Sequence, residues 1–282
     1  MTTTASISES PDLDLALKTL WGASRWPGFA DCTVVLAPSF WQEAFRRLQQ
    51  LIHVRASGLL HGSTGVGKSF LIHRWSEQLS PKQYRVLRLN HSTLMGSDLL
   101  RQMVSLAGQK PQYRRGDNVL LLTALWQEWA PLWPVLIVEE AQDLNTTALE
   151  ELRLLTCVRS DTHSPFSLIL VGDEDLLPRL DLGINRALIS RLGFCLRLDR
   201  WPKEDLQNYL QGRLVEVGIH STPFEPPAQE LLLQSAHGSP RTVNGLLQRS
   251  LEAAARDQRR QVTRADVQAA LDTLPWLTRT PD

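Results

Sequence analysis

The chain has little of what staples or metallates a small domain. Its 282 residues include three cysteines, Cys32, Cys157 and Cys195, far apart and with no CxxC pair. That spacing argues against a disulfide framework and a zinc ribbon and fits a reducing compartment. Net charge is missing too. Lys plus Arg number 30 and Asp plus Glu number 30, so there is no overall basic footprint for nucleic acid, although a local basic face stays open. No apolar run approaches the roughly 18 residues of a membrane span. The opening residues, MTTTASISESPDLD, have neither a basic n-region nor an apolar h-region, so a cytoplasmic address is expected. Internal repeats and long low-complexity segments are also absent. What is present is 43% hydrophobic residues, enough to build a core and to exclude global disorder. Nine scattered tryptophans read mainly as packing anchors.

Residues 1–31 read as an N-terminal extension. Its start is Ser/Thr-rich, and Leu13, Ala16, Leu17 and Leu20 then recur at helical spacing before Trp21. This short helix is either a strap on its own domain or a docking element for a partner. Residues 32–200 alternate between helix and strand. Helices are expected at 41–52, 68–79, 98–107, 118–129 and 148–159. Strands are expected at 57–61, 84–89, 135–138, 166–171 and 194–198. The continuous apolar runs of the third and fourth strands suit strands covered on both faces. The alternation predicts an α/β domain around a five-stranded parallel sheet. Residues 201–276 carry no strand signal and read as a small all-helical domain, with helices at 203–217, 228–235, 240–256 and 263–274 and a tail at 277–282. Thr263 with Asp266 resembles a capping box.

Gly62, Ser63, Thr64, Gly65, Val66, Gly67, Lys68 and Ser69 match GxxxxGK[ST] in full, between an expected strand and helix. Glycines let backbone N–H groups close around phosphate oxygens, and the next helix aims its positive end at the same anion. Lys68 is placed to reach the β- and γ-phosphates, and Ser69 to ligate Mg²⁺. Phe70 completes the expected nucleotide-binding stretch. The third strand ends in Glu139 and Glu140, at the carboxyl edge where parallel sheets bind ligands. Phosphoryl transfer needs one acid for the metal's shell and one group to orient the attacking water. Glu139 fits the first role and Glu140 the second, with Glu139 standing where Asp is usual.

With both motifs in place, the sequence resembles an AAA+ ATPase with a helical lid. Within that class it resembles the ExeA-like group, which shades into the transposon ATPases TniB, TnsC and MuB. The resemblance spans roughly 33–274 and rests on APSFWQEAFRRLQQLI, LIVEEAQDL, ELRLLT, LILVGDEDLLPRL, SRLGFCLRL and GSPRTVNGLLQRSLEAA. It implies ATP and Mg²⁺ as cofactors. It places Asp173 at the sensor-1 position, Arg191 or its competitor Arg186 at the trans-acting arginine finger, and Arg241 at sensor 2. A finger acting in trans implies a homo-oligomer, a ring or a helical filament. Arg85, Arg88 and His91 flank the second strand, and Arg101, Lys110, Arg114 and Arg115 follow within thirty residues, where DNA-handling relatives line a pore. Of these, Arg88, Arg101, Lys110, Arg114 and Arg115 are the DNA-contact candidates. Arg256, Arg259, Arg260 and Arg264 form a second basic cluster.

The function implied is an ATP-dependent regulator of DNA transposition, which oligomerises on double-stranded DNA and recruits or activates a separate transposase, with a targeting protein as a further partner. Two other readings share the core. One is the ExeA-like secretion ATPase, whose members usually add a transmembrane helix and a cell-wall-binding region. The other is the helicase loader or replication initiator, often followed by a helix-turn-helix. Neither addition is seen before the sequence ends at Asp282.

Overall fold

The computed structural model describes residues 13–28, 38–90, 96–158 and 164–274. In chain order the elements are α1 (Leu13–Trp21), α2 (Ser39–His53), β1 (Ser57–Gly62), α3 (Lys68–Glu77), β2 (Tyr84–Leu89), α4 (Gly96–Leu106), α5 (Arg115–Glu128), β3 (Trp133–Val138), α6 (Thr146–Cys157), β4 (Ser167–Gly172), α7 (Leu176–Leu180), α8 (Arg186–Ile189), β5 (Leu192–Leu198), α9 (Lys203–Glu216), α10 (Pro226–Ser235), α11 (Pro240–Arg256) and α12 (Arg264–Asp272). They divide into two compact units, Ser39–Asp199 and Met1–Pro38 with Arg200–Asp282.

In the first unit all five strands are parallel, in the order β2-β3-β4-β1-β5. Strand β4 is buried at every position and β3 from Pro134 onward, which is why both read as apolar runs. The edge strands are half-covered: β5 exposes Gly193, Cys195 and Arg197 at period two. Leu59, Leu87, Leu136 and Leu168 turn to one face and join Leu99 and Met103 of α4, Leu122 of α5 and Leu152 of α6 in one cluster. Leu60, Ile137 and Ile169 are buried on the opposite face, where α2 and α3 pack. Leu89 pairs with Val138, Val138 with Leu170, and Gly172 with His61, so these strands end at a common carboxyl edge. From β1 the chain crosses to β2 at the far edge, returns through β3 and β4, and then passes to β5 beyond β1. The direction of winding reverses between β4 and β1, and the glycine-rich loop leaves β1 at that switch point.

The second unit is helical. Residues 13–28, the described part of the expected N-terminal extension, are built into it rather than set apart. Ala16, Leu17 and Trp21 are buried where α1 packs on α11, and Trp21 Nε1 donates to the Arg260 carbonyl at 2.8 Å. Arg213 is 1% exposed. It pairs with Glu216 at 2.6 Å and donates to the carbonyl of Pro27. The Gly28 N–H donates to Gln248 Oε1 at 3.2 Å. Leu13–Trp21 thus packs against its own unit. The capping box at Thr263 and Asp266 is present.

Candidate nucleotide site

The glycine-rich loop needs glycine for two separate reasons. Gly62, Gly65 and Gly67 have φ of 153°, 83° and 100°, in the region that favours glycine. At Gly62 and Gly67 there is also no room for a Cβ. One at Gly62 would strike the Leu198 carbonyl, and one at Gly67 would sit 2.7 Å from Cζ2 of Trp41. Gly67 is the N-cap of α3, with no side-chain cap bond, so no cap side chain competes for the positive helix end that an anion can meet. Lys68 folds back onto the loop, its Nζ donating to the carbonyls of Gly62 at 2.7 Å and Ser63 at 3.0 Å. Thr64 and Ser69 are exposed and Val66 is buried. The Phe70 ring lies 5.7 Å from that of Trp41 with Arg74 over it, which leaves its backbone N–H as its means of meeting a phosphate.

Glu139 follows β3 directly and is 6% exposed. Its Oε1 accepts from Arg88 Nη2 at 2.6 Å, and Arg88 Nη1 meets His73 Nδ1 on α3. The Arg88 side chain is thus turned toward the acid pair, while Arg85, three residues earlier on β2, is exposed and lies over the Trp129 ring. Glu140 is exposed and left-handed, at φ 50° and ψ 42°. Its backbone carbonyl accepts from Asp143 N at 2.9 Å, opening the 3₁₀ turn Ala141–Asp143.

Three contacts joining the acid pair, the glycine-rich loop and the turn after β4 were not read from the sequence. Gln142 Nε2 donates to Glu140 Oε2 at 2.8 Å, and Gln142 Oε1 accepts from the backbone N of Asp173 at 3.2 Å. Glu174 Oε1 accepts from Ser63 Oγ at 2.9 Å. The Asp173 carboxylate itself accepts from Asp175 N at 3.0 Å, closing its own turn. Behind the loop, His61 is buried. Burial, with Arg197 and Lys68 nearby, pushes its imidazole below the usual histidine range against the opposing pull of Glu174. Parallel pairing of β1, β4 and β3 is what brings these residues together, so motif spacing alone does not reveal them.

Arg186 is exposed at the start of α8, and Arg191 is half-buried just before β5. Arg241 is exposed in the first turn of α11, in the helical unit. Arg101 pairs with Asp98 at 3.6 Å and donates to the Tyr113 carbonyl at 3.0 Å. Arg115 is held by Glu151, with Nη2 to Oε2 at 2.7 Å. Lys110 and Arg114 are exposed. So is Tyr113, at 91%, which sequence reading had passed over. Arg259 is clamped by Asp266 at 2.7 Å and Asp257 at 2.8 Å, whereas Arg256, Arg260 and Arg264 are exposed. His91 lies outside the described residues. Among the described residues no group of three or more His, Cys, Asp or Glu is arranged to hold a metal, and no helix is long and apolar enough to cross a membrane.

A family model described as an AAA domain matches residues 52–180. The general secretion pathway protein A of Aeromonas hydrophila is 28% identical over 218 residues, covering 75% of this chain and 39% of its own length. The chain thus spans about two fifths of that curated relative. Among solved structures, Cdc6p from Pyrobaculum aerophilum superposes with a TM-score of 0.71 at 17% identity, covering 87% of this chain and 70% of that one. The Aeropyrum pernix ORC1 protein, solved in complex with DNA, gives a TM-score of 0.61 at 19% identity, covering 85% and 68%. The fold is that of the AAA+ P-loop NTPases.

Proposed function

We propose, from the premise that the chain is an AAA-family ATPase, that it works as a nucleotide-controlled switch, assembling on duplex DNA in its ATP state and regulating transposition through a separate transposase. The observation that carries the nucleotide part is that a positive-φ glycine cradle after β1 and the acids Glu139 and Glu140 after β3 lie at one carboxyl sheet edge, with Glu174 after β4 accepting from Ser63 of the loop and Gln142 donating to Glu140. In this reading the loop N–H groups and Lys68 take the phosphates, exchanging Lys68's bonds to the Gly62 and Ser63 carbonyls for phosphate oxygens. Ser69 and Glu139 supply the hard oxygen donors that Mg²⁺ prefers, one or two protein groups being its usual complement beside phosphate and water. When bound, the ion neutralises charge developing on the transferred phosphoryl group. Glu140 orients the attacking water and Asp173 stands at sensor 1, and the resemblance assigns sensor 2 to Arg241.

Assembly follows from the arginines. Arg186 is exposed and suits a finger reaching a neighbouring subunit better than half-buried Arg191. The DNA reading rests on Lys110 and Arg114, exposed beside Tyr113, and on the likeness of fold to an ORC1 protein solved with DNA. The transposition reading rests on the ordered segments from LIVEEAQDL to GSPR. The Aeromonas relative favours a second reading, an ATPase of a secretion system. Electron microscopy with duplex DNA and ATP, a slowly hydrolysed analogue, or ADP distinguishes them. Rings or filaments on DNA with ATP but not ADP, lost in Lys68→Ala, are expected. A monomer by light scattering with ATP, with and without DNA, overturns the switch.

A further inference from the structure

Glu140 is awkwardly placed for a group that must orient water. It is exposed, so packing does not fix its side chain, and its backbone sits at φ 50°. That region costs a non-glycine residue roughly 1–2 kcal/mol and persists where neighbours over-determine it. The backbone is fixed by the 3₁₀ turn that follows, through Asp143 N to the Glu140 carbonyl at 2.9 Å. The carboxylate is met by the Gln142 amide, Nε2 to Oε2 at 2.8 Å.

The orientation of that amide is not arbitrary. Its oxygen accepts from the backbone N–H of Asp173 at 3.2 Å, and a backbone N–H cannot serve the NH₂ end of a flipped amide. The NH₂ end must therefore face Glu140. Gln142 is itself anchored: its carbonyl accepts from Arg179 Nη1 of α7 at 2.8 Å. A Cβ on Gly172, the last residue of β4, would come within 2.9 Å of Gln142 Oε1, so the amide lies close against the strand end.

We infer that Gln142 is a positioning residue for ATP hydrolysis, holding the Glu140 carboxylate in register with the turn that follows β4. The inference rests on the ATPase reading of the site. Gln142 touches neither nucleotide nor water in this role. It fixes the direction of a flexible acid and ties it to the Asp173 turn, so that a shift of the turn moves the acid with it.

Gln142→Glu keeps the side chain's length and an acceptor for the Asp173 N–H, but replaces the donor facing Glu140 with a repelling oxygen. Gln142→Ala removes both arms. Nucleotide binding is read by fluorescence of a labelled ATP analogue, folding by thermal melting, and hydrolysis by steady-state phosphate release with and without duplex DNA. A hydrogen bond to a charged group is lost in each variant, so kcat is expected to fall ten- to a hundredfold, with KM and analogue affinity within about twofold of the parent. Parent-like kcat in both variants overturns the inference, as does a kcat loss matched by lost folding or lost affinity in Gln142→Glu. Absence of hydrolysis in the parent chain under every condition instead overturns the ATPase reading beneath it.

Discussion

Arg88→Met is a direct test of what Glu139 is for. The ion pair between Arg88 Nη2 and Glu139 Oε1 is 2.6 Å long, and the two side chains are 25% and 7% exposed. Removing one partner of a buried pair leaves an uncompensated charge and costs about 3–5 kcal/mol when burial is complete. Arg88 is a quarter open to solvent, and water can partly replace it, which reduces the expected loss to about 2 kcal/mol. Met keeps most of the stem volume, so little of this comes from a cavity. For a protein of this size the melting temperature should fall by roughly 4–8 °C without nucleotide. Mg²⁺ with ATP should change the comparison. A divalent ion held at Glu139 supplies the charge that Arg88 supplied, so the variant should gain more from the ligand than the parent does. Differential scanning fluorimetry across a magnesium–ATP titration measures both gains. Arg88→Lys, which retains the charge but not the planar fork, should lie between the two. The same loss with and without magnesium–ATP would refute Glu139 as the metal-side acid. A change in the salt dependence of DNA binding in Arg88→Met would mark Arg88 as a phosphate contact as well.

At the loop, Gly67→Ala places a Cβ 2.7 Å from the Trp41 ring at φ 100°; a fall of roughly 2 kcal/mol in stability and loss of labelled-ATP binding are expected by denaturant titration and fluorescence. Arg114→Gln should weaken duplex binding uniformly across sequences and reduce the salt slope by about one, whereas Arg115→Gln, which releases Glu151, should mainly lower stability. In the helical unit, burial works to raise the Asp266 carboxyl, but bonds from Arg259 and Thr263 outweigh it and hold the group below the usual aspartate range. Its folded value is therefore the lower one, so its contribution is full above about pH 4, the unfolded range, and is lost as pH falls through the folded value. Asp266→Asn should flatten that acid limb of the stability profile, as followed by circular dichroism.

Periodicity found the sheet because strands buried on both faces leave an apolar trace that needs no partner to be seen. Strand β2 was expected at 84–89 and is there. Helix ends moved by a few residues where caps are weak: α5 begins at Arg115 rather than 118, behind an N-cap without a side-chain bond. The short helices α7 and α8, of five and four residues, are below the length at which a 3.6 period can be read. Lys68, Ser69 and Glu139 could be put forward from the sequence because their motif is local. Gln142, Glu174 and the turning of Arg88 were not, because each contact spans two strand ends whose adjacency is set by sheet order. The packing of α1 on α11 is likewise invisible locally: an amphipathic stripe shows that a face must be covered, not by what.

The balance of acids and bases acquires a different meaning once the pairs are named. Arg88, Arg115, Arg153, Arg213 and Arg259 all meet carboxylates within their own unit, so part of the cationic inventory is committed to internal partners. In the segment between α4 and α5, Lys110 and Arg114 remain exposed beside Tyr113. Two phosphate contacts per subunit correspond to a salt slope near −2 and a loss of roughly tenfold in affinity between 50 and 200 mM salt. Binding that weak is useful only if repeated. Assembly on one duplex adds these slopes, because each subunit displaces its own counterions. The measured slope should therefore rise with the number of subunits that ATP recruits, and in Lys68→Ala it should stay near the single-subunit value. A steep slope without ATP would mean that the DNA surface lies elsewhere on the chain, with the exposed Arg256, Arg260 and Arg264 of the helical unit the first residues to neutralise.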